Sequence, residues 1–211
     1  MGIGIGFGQW YLAQYGQFDG YPEGQGVTLF RFLSVAPNID SLKVGLENNI
    51  YTPTDEEIEE FYREGEDSES ALRQAWEIAR RQPNTPFKAF QGGFHTLYPS
   101  LSRNTSAKIL GIIVRTAQED KDKKLPIYKE VEYVTQWDCE WAYVVDLDKE
   151  ILEIYKGMHG GFVPKHDGHQ FKDVGGENDQ VPGLVRTFEF SELFLLKDDK
   201  EFVTKAKENL P

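Results

Sequence analysis

Between Tyr15 and Gly26 the chain reads Tyr-Gly-Gln-Phe-Asp-Gly-Tyr-Pro-Glu-Gly-Gln-Gly, which interleaves glycines with Gln17, Asp19, Glu23, Gln25 and aromatic rings. Glycine lets a backbone come close to a bound molecule, and amides and carboxylates beside it would orient that molecule. A helix opening directly afterwards would present N–H groups that favour an anion, with Arg31 one turn inside. The spacing therefore predicts a ligand-binding loop over residues 14–31, made of Gln14, Gln17, Asp19, Tyr21, Glu23, Gln25, Gly26 and Arg31. The plainer alternative is that these glycines only make tight turns, and Asp19 and Glu23 would repel a phosphate. The G-x-G-x-x-G dinucleotide spacing is absent here and in residues 2–8.

Three further groups could carry chemistry. His159, His166 and His169 fall with Asp167 within eleven residues, side chains that suit a transition metal. Their spacing matches no zinc motif, so neither a metal nor any other cofactor is assigned. Cys139 is the single cysteine, and the alternation Val131, Tyr133, Thr135, Trp137, continued to Val145, predicts strand over a span too long for one ordinary strand, and so with a bulge or break, that puts the thiol on the apolar face of Trp137, Trp141 and Tyr143. A buried, unreactive thiol is expected, with Asp138 and Glu140 on the opposite, solvated face. Residues 55–69 hold nine acids and one base, Arg63, which reads as a solvated helix face.

The elements that must position these groups are legible in part. Residues 9–15 read as a strand, 27–33 and 39–46 as helices. Thr54 and Glu57 have capping-box spacing for a helix to about residue 63, and a second amphipathic helix over 71–79, with Leu72, Ala75 and Trp76 inward, is closed by Pro83 and Pro86. Asn104 or Thr105 should cap a helix through Gln118 so apolar that it must lie in the core. Residues 146–150 read as a hairpin turn into a strand over 151–155, and 157–183, with seven glycines, as a long loop. A strand over 184–190 and a helix over 201–208 finish the chain. The sum is an α+β fold, an antiparallel sheet covered by helices, in a single domain over residues 1–211.

Composition narrows the partners. The 211 residues carry 23 Lys and Arg against 35 Asp and Glu, a net charge of −12 that repels a polyphosphate backbone, so nucleic acid is not expected. No run approaches the roughly 20 apolar residues of a membrane span, and the start lacks the form of a signal peptide, so no membrane is expected either. Gly6 stands where a myristoylation motif needs Ser or Thr. One cysteine in a chain of this length suits a reducing, cytoplasmic setting.

The segment Leu12-Ala-Gln-Tyr-Gly-Gln-Phe-Asp-Gly-Tyr-Pro-Glu-Gly-Gln-Gly26 resembles a stretch in a scattered group of phage, bacterial and fungal proteins, where it follows a short N-terminal strand. Residues 98–110, Tyr-Pro-Ser-Leu-Ser-Arg-Asn-Thr-Ser-Ala-Lys-Ile-Leu, and residues 140–148 with 155–157 resemble two further blocks of that group. The group has no established activity, so the resemblance implies a shared fold and no reaction. A hairpin entering layered sheets and helices is also similar to the N-terminal-nucleophile hydrolase architecture. Gly2 has no side chain to attack with, so that chemistry is not expected. With no complete triad, metal set or phosphate loop, the residues point to a non-enzymatic module that binds a small molecule or a protein through residues 14–31 and the loop over 157–183. The alternative is a hydrolase or transferase using the acids of the glycine-rich loop or the histidine-rich loop over 159–169. A third reading, association with a basic partner through the acidic surface, rests on charge alone.

Overall fold

A computed structural model describes residues 2–7, 9–16, 19–79, 93–129, 131–208 and 210. Strands β1 (Gly2–Phe7) and β2 (Gln9–Tyr15) form a hairpin. After the glycine-rich loop come α1 (Val27–Leu33), α2 (Ala36–Asn48), the short β3 (Ile50–Tyr51), α3 (Asp55–Ala79) and α4 (Phe94–Leu97). Helix α5 (Ile109–Glu119) leads to β4 (Leu125–Pro126), then β5 (Trp141–Asp146), β6 (Ile151–Lys156), β7 (Phe162–Pro164), β8 (Gln180–Glu189), α6 (Phe190–Leu193) and α7 (Asp199–Lys207).

The expected α+β class is what forms. Six strands pair in the order β2-β1-β5-β6-β8-β7, antiparallel at every junction except β1 against β5, which is parallel. β5 is buried along its whole length because both sheet faces are covered. Trp141, Tyr143 and Val145 face the larger core, with Leu29, Phe30 and Leu33 of α1, Leu110 and Ile113 of α5 and Phe202 of α7. Ala142 and Val144 face a smaller one, with Tyr155, Phe171, Val174 and Val181. Among the described residues no helix is long and apolar enough to cross a membrane.

Helix α5 is the core helix that its sequence predicts, with Ile109, Leu110 and Ile113 fully buried. The capping box also forms: Thr54 N donates to Glu57 Oε2 at 2.8 Å and Glu57 N to Thr54 Oγ1 at 3.2 Å. The two helices expected over 55–63 and 71–79 are one continuous α3. Gly65, within this helix, lets α4 pack closely, since a Cβ there would lie 2.6 Å from Phe94 N. The side chains of Leu72, Ala75 and Trp76, and both prolines expected to close the helix, lie outside the described residues.

Five expectations need correction. The strand expected over 131–145 is confined to β5, and residues 131–135 are a 3-10 turn closed by local bonds such as Gln136 N to Tyr133 O at 3.2 Å. A period of two within so short a stretch suits either conformation, and Val134 packing into the smaller core selects the turn. Cys139 is buried, but with Ala142 and Val144, on the face opposite Trp141 and Tyr143, while Trp137 is 78% exposed. Asp138 and Glu140 are exposed, but they precede the strand and share no sheet face. The long loop expected over 157–183 contains β7 and the first residues of β8, which begins at Gln180. Finally, neither Asn104 nor Thr105 caps α5: Thr105 Oγ1 donates to Pro99 O at 2.5 Å, and the opening turn is capped from afar, Ala107 N donating to Gln25 Oε1 at 3.2 Å.

Candidate functional site

The glycine-rich loop closes on itself. Asp19 adopts a left-handed backbone (φ +54°), and its carbonyl accepts Gln25 N–H at 2.9 Å while Tyr21 O accepts Gly24 N–H at 3.0 Å. A Cβ on Gly24 would stand 2.2 Å from Asp19 O, so this glycine admits the loop's own backbone, in the place the sequence offers to a ligand. Residues 22–26 form a π-helical turn that runs straight into α1, and the N–H of Val27 is already bonded to Gly24 and Pro22 carbonyls. The ring of open donors expected at this helix start is therefore used internally.

The side chains of the loop point to separate partners. Gln25 caps the turn before α5, Glu23 pairs with Lys207 of α7, and Tyr21 OH donates to Asp19 Oδ1 at 2.9 Å. Arg31 binds Asp199 through Nε at 3.1 Å and Nη2 at 2.5 Å. Gly26 lies under Tyr143 and Phe202, where a Cβ would meet their rings at 3.3–3.4 Å. Tyr143 donates its hydroxyl to Gly20 O at 2.8 Å, and burial, then the Glu23 charge, pushes that hydroxyl well above the ordinary phenol range, so it stays a neutral donor. Gln17 lies outside the described residues. The segment thus works as a clasp joining β5, α5 and α7.

Gln14 is the exception. It is 2% exposed, and its Nε2 donates to Ser102 O at 2.8 Å and Ser100 O at 3.4 Å, which fixes the orientation of the amide. Its Oε1 is buried without a hydrogen-bond partner, one of two such side-chain atoms among the described residues. Gln14 lines a pocket of 390 Å³ together with Tyr15, Tyr62, Phe94, His95, Leu101, Arg103 and Tyr128. Tyr62 stacks on Phe94 at 4.2 Å on one side. On the other, the Arg103 guanidinium lies 5.3 Å from the Tyr15 ring centre and donates to Tyr133 OH at 2.8 Å. Among the described residues no carboxylate pairs with Arg103. One acceptor and one cation thus line the same small, aromatic-walled space. Sequence reading found Gln14 and missed Arg103, although Arg103 lies in the second of the three blocks of resemblance.

The histidines are not brought together into a metal site. His159 Nε2 lies 3.9 Å from Glu140 Oε1, while His166 and His169 stack edge-on 5.2 Å apart elsewhere. Among the described residues no group of three or more His, Cys, Asp or Glu side chains could hold a metal ion. His169 is 7% exposed; its Nε2 contacts Pro182 O at 3.1 Å and its Nδ1 accepts Phe171 N–H at 3.1 Å, an arrangement that requires the neutral ring. Its neighbours line a 550 Å³ pocket that also holds Glu153, Tyr155 and Lys165. Tyr155 OH donates to Glu153 Oε2 at 2.9 Å, and burial nevertheless holds the Glu153 carboxyl above its ordinary range. This pair, two apart on β6, has no sequence signature beyond alternation.

Burial, then the neighbouring His166, lowers the His169 pKa below its usual value. The unfolded chain therefore takes up the proton first, so the stability that His169 contributes is complete above about pH 6.5 and falls as the pH drops toward the folded-state value. Glu153 titrates in the opposite sense, its raised pKa favouring the fold as pH falls. Hydrogen exchange at Phe171 and Val174 is expected to speed up between pH 7.5 and 5.5 relative to the intrinsic rate, and this acceleration should be lost in His169→Gln, where only the opposite contribution of Glu153 remains. An unchanged dependence in the variant would place its origin elsewhere.

No protein-family model matches the chain, and no curated protein sequence or solved structure matches it either.

Proposed function

We propose that the protein is a small-ligand-binding module whose site is the pocket between Gln14 and Arg103. The reading is carried by the buried, partnerless Oε1 of Gln14, since a buried polar group without a partner costs about 1–3 kcal/mol and a bound N–H or O–H would recover it. Arg103 asks for an anionic or strongly accepting group on the same ligand, and the Tyr62–Phe94 stack offers a flat wall. A compact planar acid with a ring N–H fits these demands and the volume. The single cysteine, buried, agrees with a cytoplasmic setting.

A thermal-shift titration with pyrrole-2-carboxylate and indole-2-carboxylate tests this directly. Saturable stabilisation is expected, about 2.7 kcal/mol at 100 times the dissociation constant. Arg103→Met, at an exposed position, should keep the fold and weaken binding about tenfold or more, which is about 1.4 kcal/mol. Equal stabilisation of the wild type and of Arg103→Met would move the site elsewhere, and a flat response to both acids would sink this ligand class.

A second reading, a hydrolase or transferase, is favoured by one observation: Glu153, with its raised pKa, shares a pocket with Tyr155, His166 and His169 of the histidine-rich loop. It requires turnover of ester or glycoside substrates that vanishes in Glu153→Gln while the melting temperature holds.

A further inference from the structure

A second concavity meets the Gln14 pocket at His95 and carries the opposite charge from the rest of the molecule. This groove, of 1170 Å³, runs between α1, one side of α5, residues 95–105 and the loop entering β4. Arg31, Lys108, Arg115, Lys123 and Lys124 line it against a single carboxylate, Glu119. In a chain of 23 bases and 35 acids this is a local reversal of sign, and a concave wall concentrates the field that it produces.

The reversal is built by secondary structure. Lys108, which ends the turn leading into α5, and Ile112, Arg115 and Glu119 of the helix recur three or four residues apart, so they fall on the side opposite Ile109, Leu110, Ile113 and Val114, which the core holds. The core therefore fixes the direction in which both bases emerge. Lys123 and Lys124 come from a loop pinned by Asn49, 1% exposed, whose Nδ2 contacts the carbonyls of Asp120, Lys121 and Lys123 at 3.3, 3.1 and 2.9 Å. Arg31 is engaged by Asp199 and Lys124 Nζ by Asn48 O. Lys108, Arg115 and Lys123 have no carboxylate partner among the described residues. Three uncommitted cations thus face one cavity from a rigid helix and a pinned loop, with the hydroxyls of Thr28, Thr96 and Ser100 among them.

We infer that this groove is a second binding site, independent of the Gln14 pocket, for a ligand carrying several adjacent negative charges of the polyphosphate type. A single monoanion would leave two of the three cations uncompensated, whereas linked phosphates can reach bases on both elements. The same chemistry arises in free polyphosphate and in the phosphate tail of a nucleotide.

The experiment is calorimetric titration of the full chain with inorganic tripolyphosphate and, separately, with ATP, both without divalent metal. Saturable binding of tripolyphosphate is expected, weakened as salt rises from 50 to 200 mM. The double variant Lys108→Gln/Arg115→Gln and the single variant Lys123→Gln should each weaken it about tenfold or more. Lys172→Gln/Lys197→Gln, which makes the same charge change at exposed positions outside the groove, should leave it within about twofold. ATP binding as tightly as tripolyphosphate would identify the phosphate chain alone as what is recognised; ATP binding tenfold tighter would identify a nucleotide-borne chain. No binding of either, equal loss in the control variant, or binding only of an oligoglutamate peptide would overturn the proposal. Failure of the Gln14 pocket leaves these outcomes unchanged, because none of the groove variants touches it.

Discussion

Gly24→Ala is expected to destabilise the protein by about 3 kcal/mol, lowering the melting temperature by about 6–12 °C. The added Cβ would stand 2.2 Å from Asp19 O and 2.8 Å from Asp19 Cβ. Neither can yield cheaply, because the Asp19 carbonyl is held by Gln25 N–H and its backbone is already left-handed. Relief requires opening the turn, which removes the Asp19–Gln25 bond and lets the Gln25 amide swing away from the start of α5. Gly111→Ala is the control within the same protein. A Cβ there meets nothing within 4 Å, in a helix interior, so the substitution should stabilise by about 0.5–1 kcal/mol. Urea denaturation of both variants measures the contrast. A Gly24→Ala midpoint equal to that of the wild type would show the turn to be more open than these distances imply.

Phe202→Ala should cost about 3–5 kcal/mol. The ring has no exposed surface, stacks on Phe30 at 4.9 Å with planes 6° apart, and contacts Phe188 at 5.3 Å, so it joins α7 to α1 and to β8 at one point. Its loss leaves a hole directly under Gly26, and the glycine-rich turn should lose hydrogen-exchange protection together with α7. Leu195→Ser, at a position 80% exposed and only seven residues away, should change stability by less than about 0.5 kcal/mol. Similar losses in the two variants would mean that the C-terminal helix does not seal the core.

What the sequence made legible was local. The apolar face of α5, the Thr54–Glu57 box and the hairpin from β5 to β6 all arise from residues within a turn or two of one another, where periodicity and capping rules operate. Residues 131–135 misled because alternation over five positions does not distinguish a strand from a tight turn; the packing of Val134 into the smaller core decides. The candidate sites were less legible because their partners are distant. Gln25 reads as a ligand donor until Ala107, 82 positions on, takes its oxygen. Gln14 reads as one polar residue of a strand until the Ser100 and Ser102 carbonyls take its amide protons. Arg115 and Lys123 belong to no motif, Arg103 lies in a block of resemblance that implies no role, and all three acquire meaning only when the fold places each beside a concavity.

The parallel junction between β1 and β5 bears on the order of assembly. Gly2 sits opposite Ala142, so the first strand finds its neighbour only after most of the chain has been made. During synthesis the hairpin of β1 and β2 emerges well before β5 and so has one edge unsatisfied, while α1, α2 and α5 can already gather around their own apolar faces. Such long-range pairing is slow because the loop-closure entropy must be met before any contact compensates for it. Refolding from urea should therefore show helix formation ahead of sheet completion, and the waiting hairpin edge is where two half-folded copies would adhere.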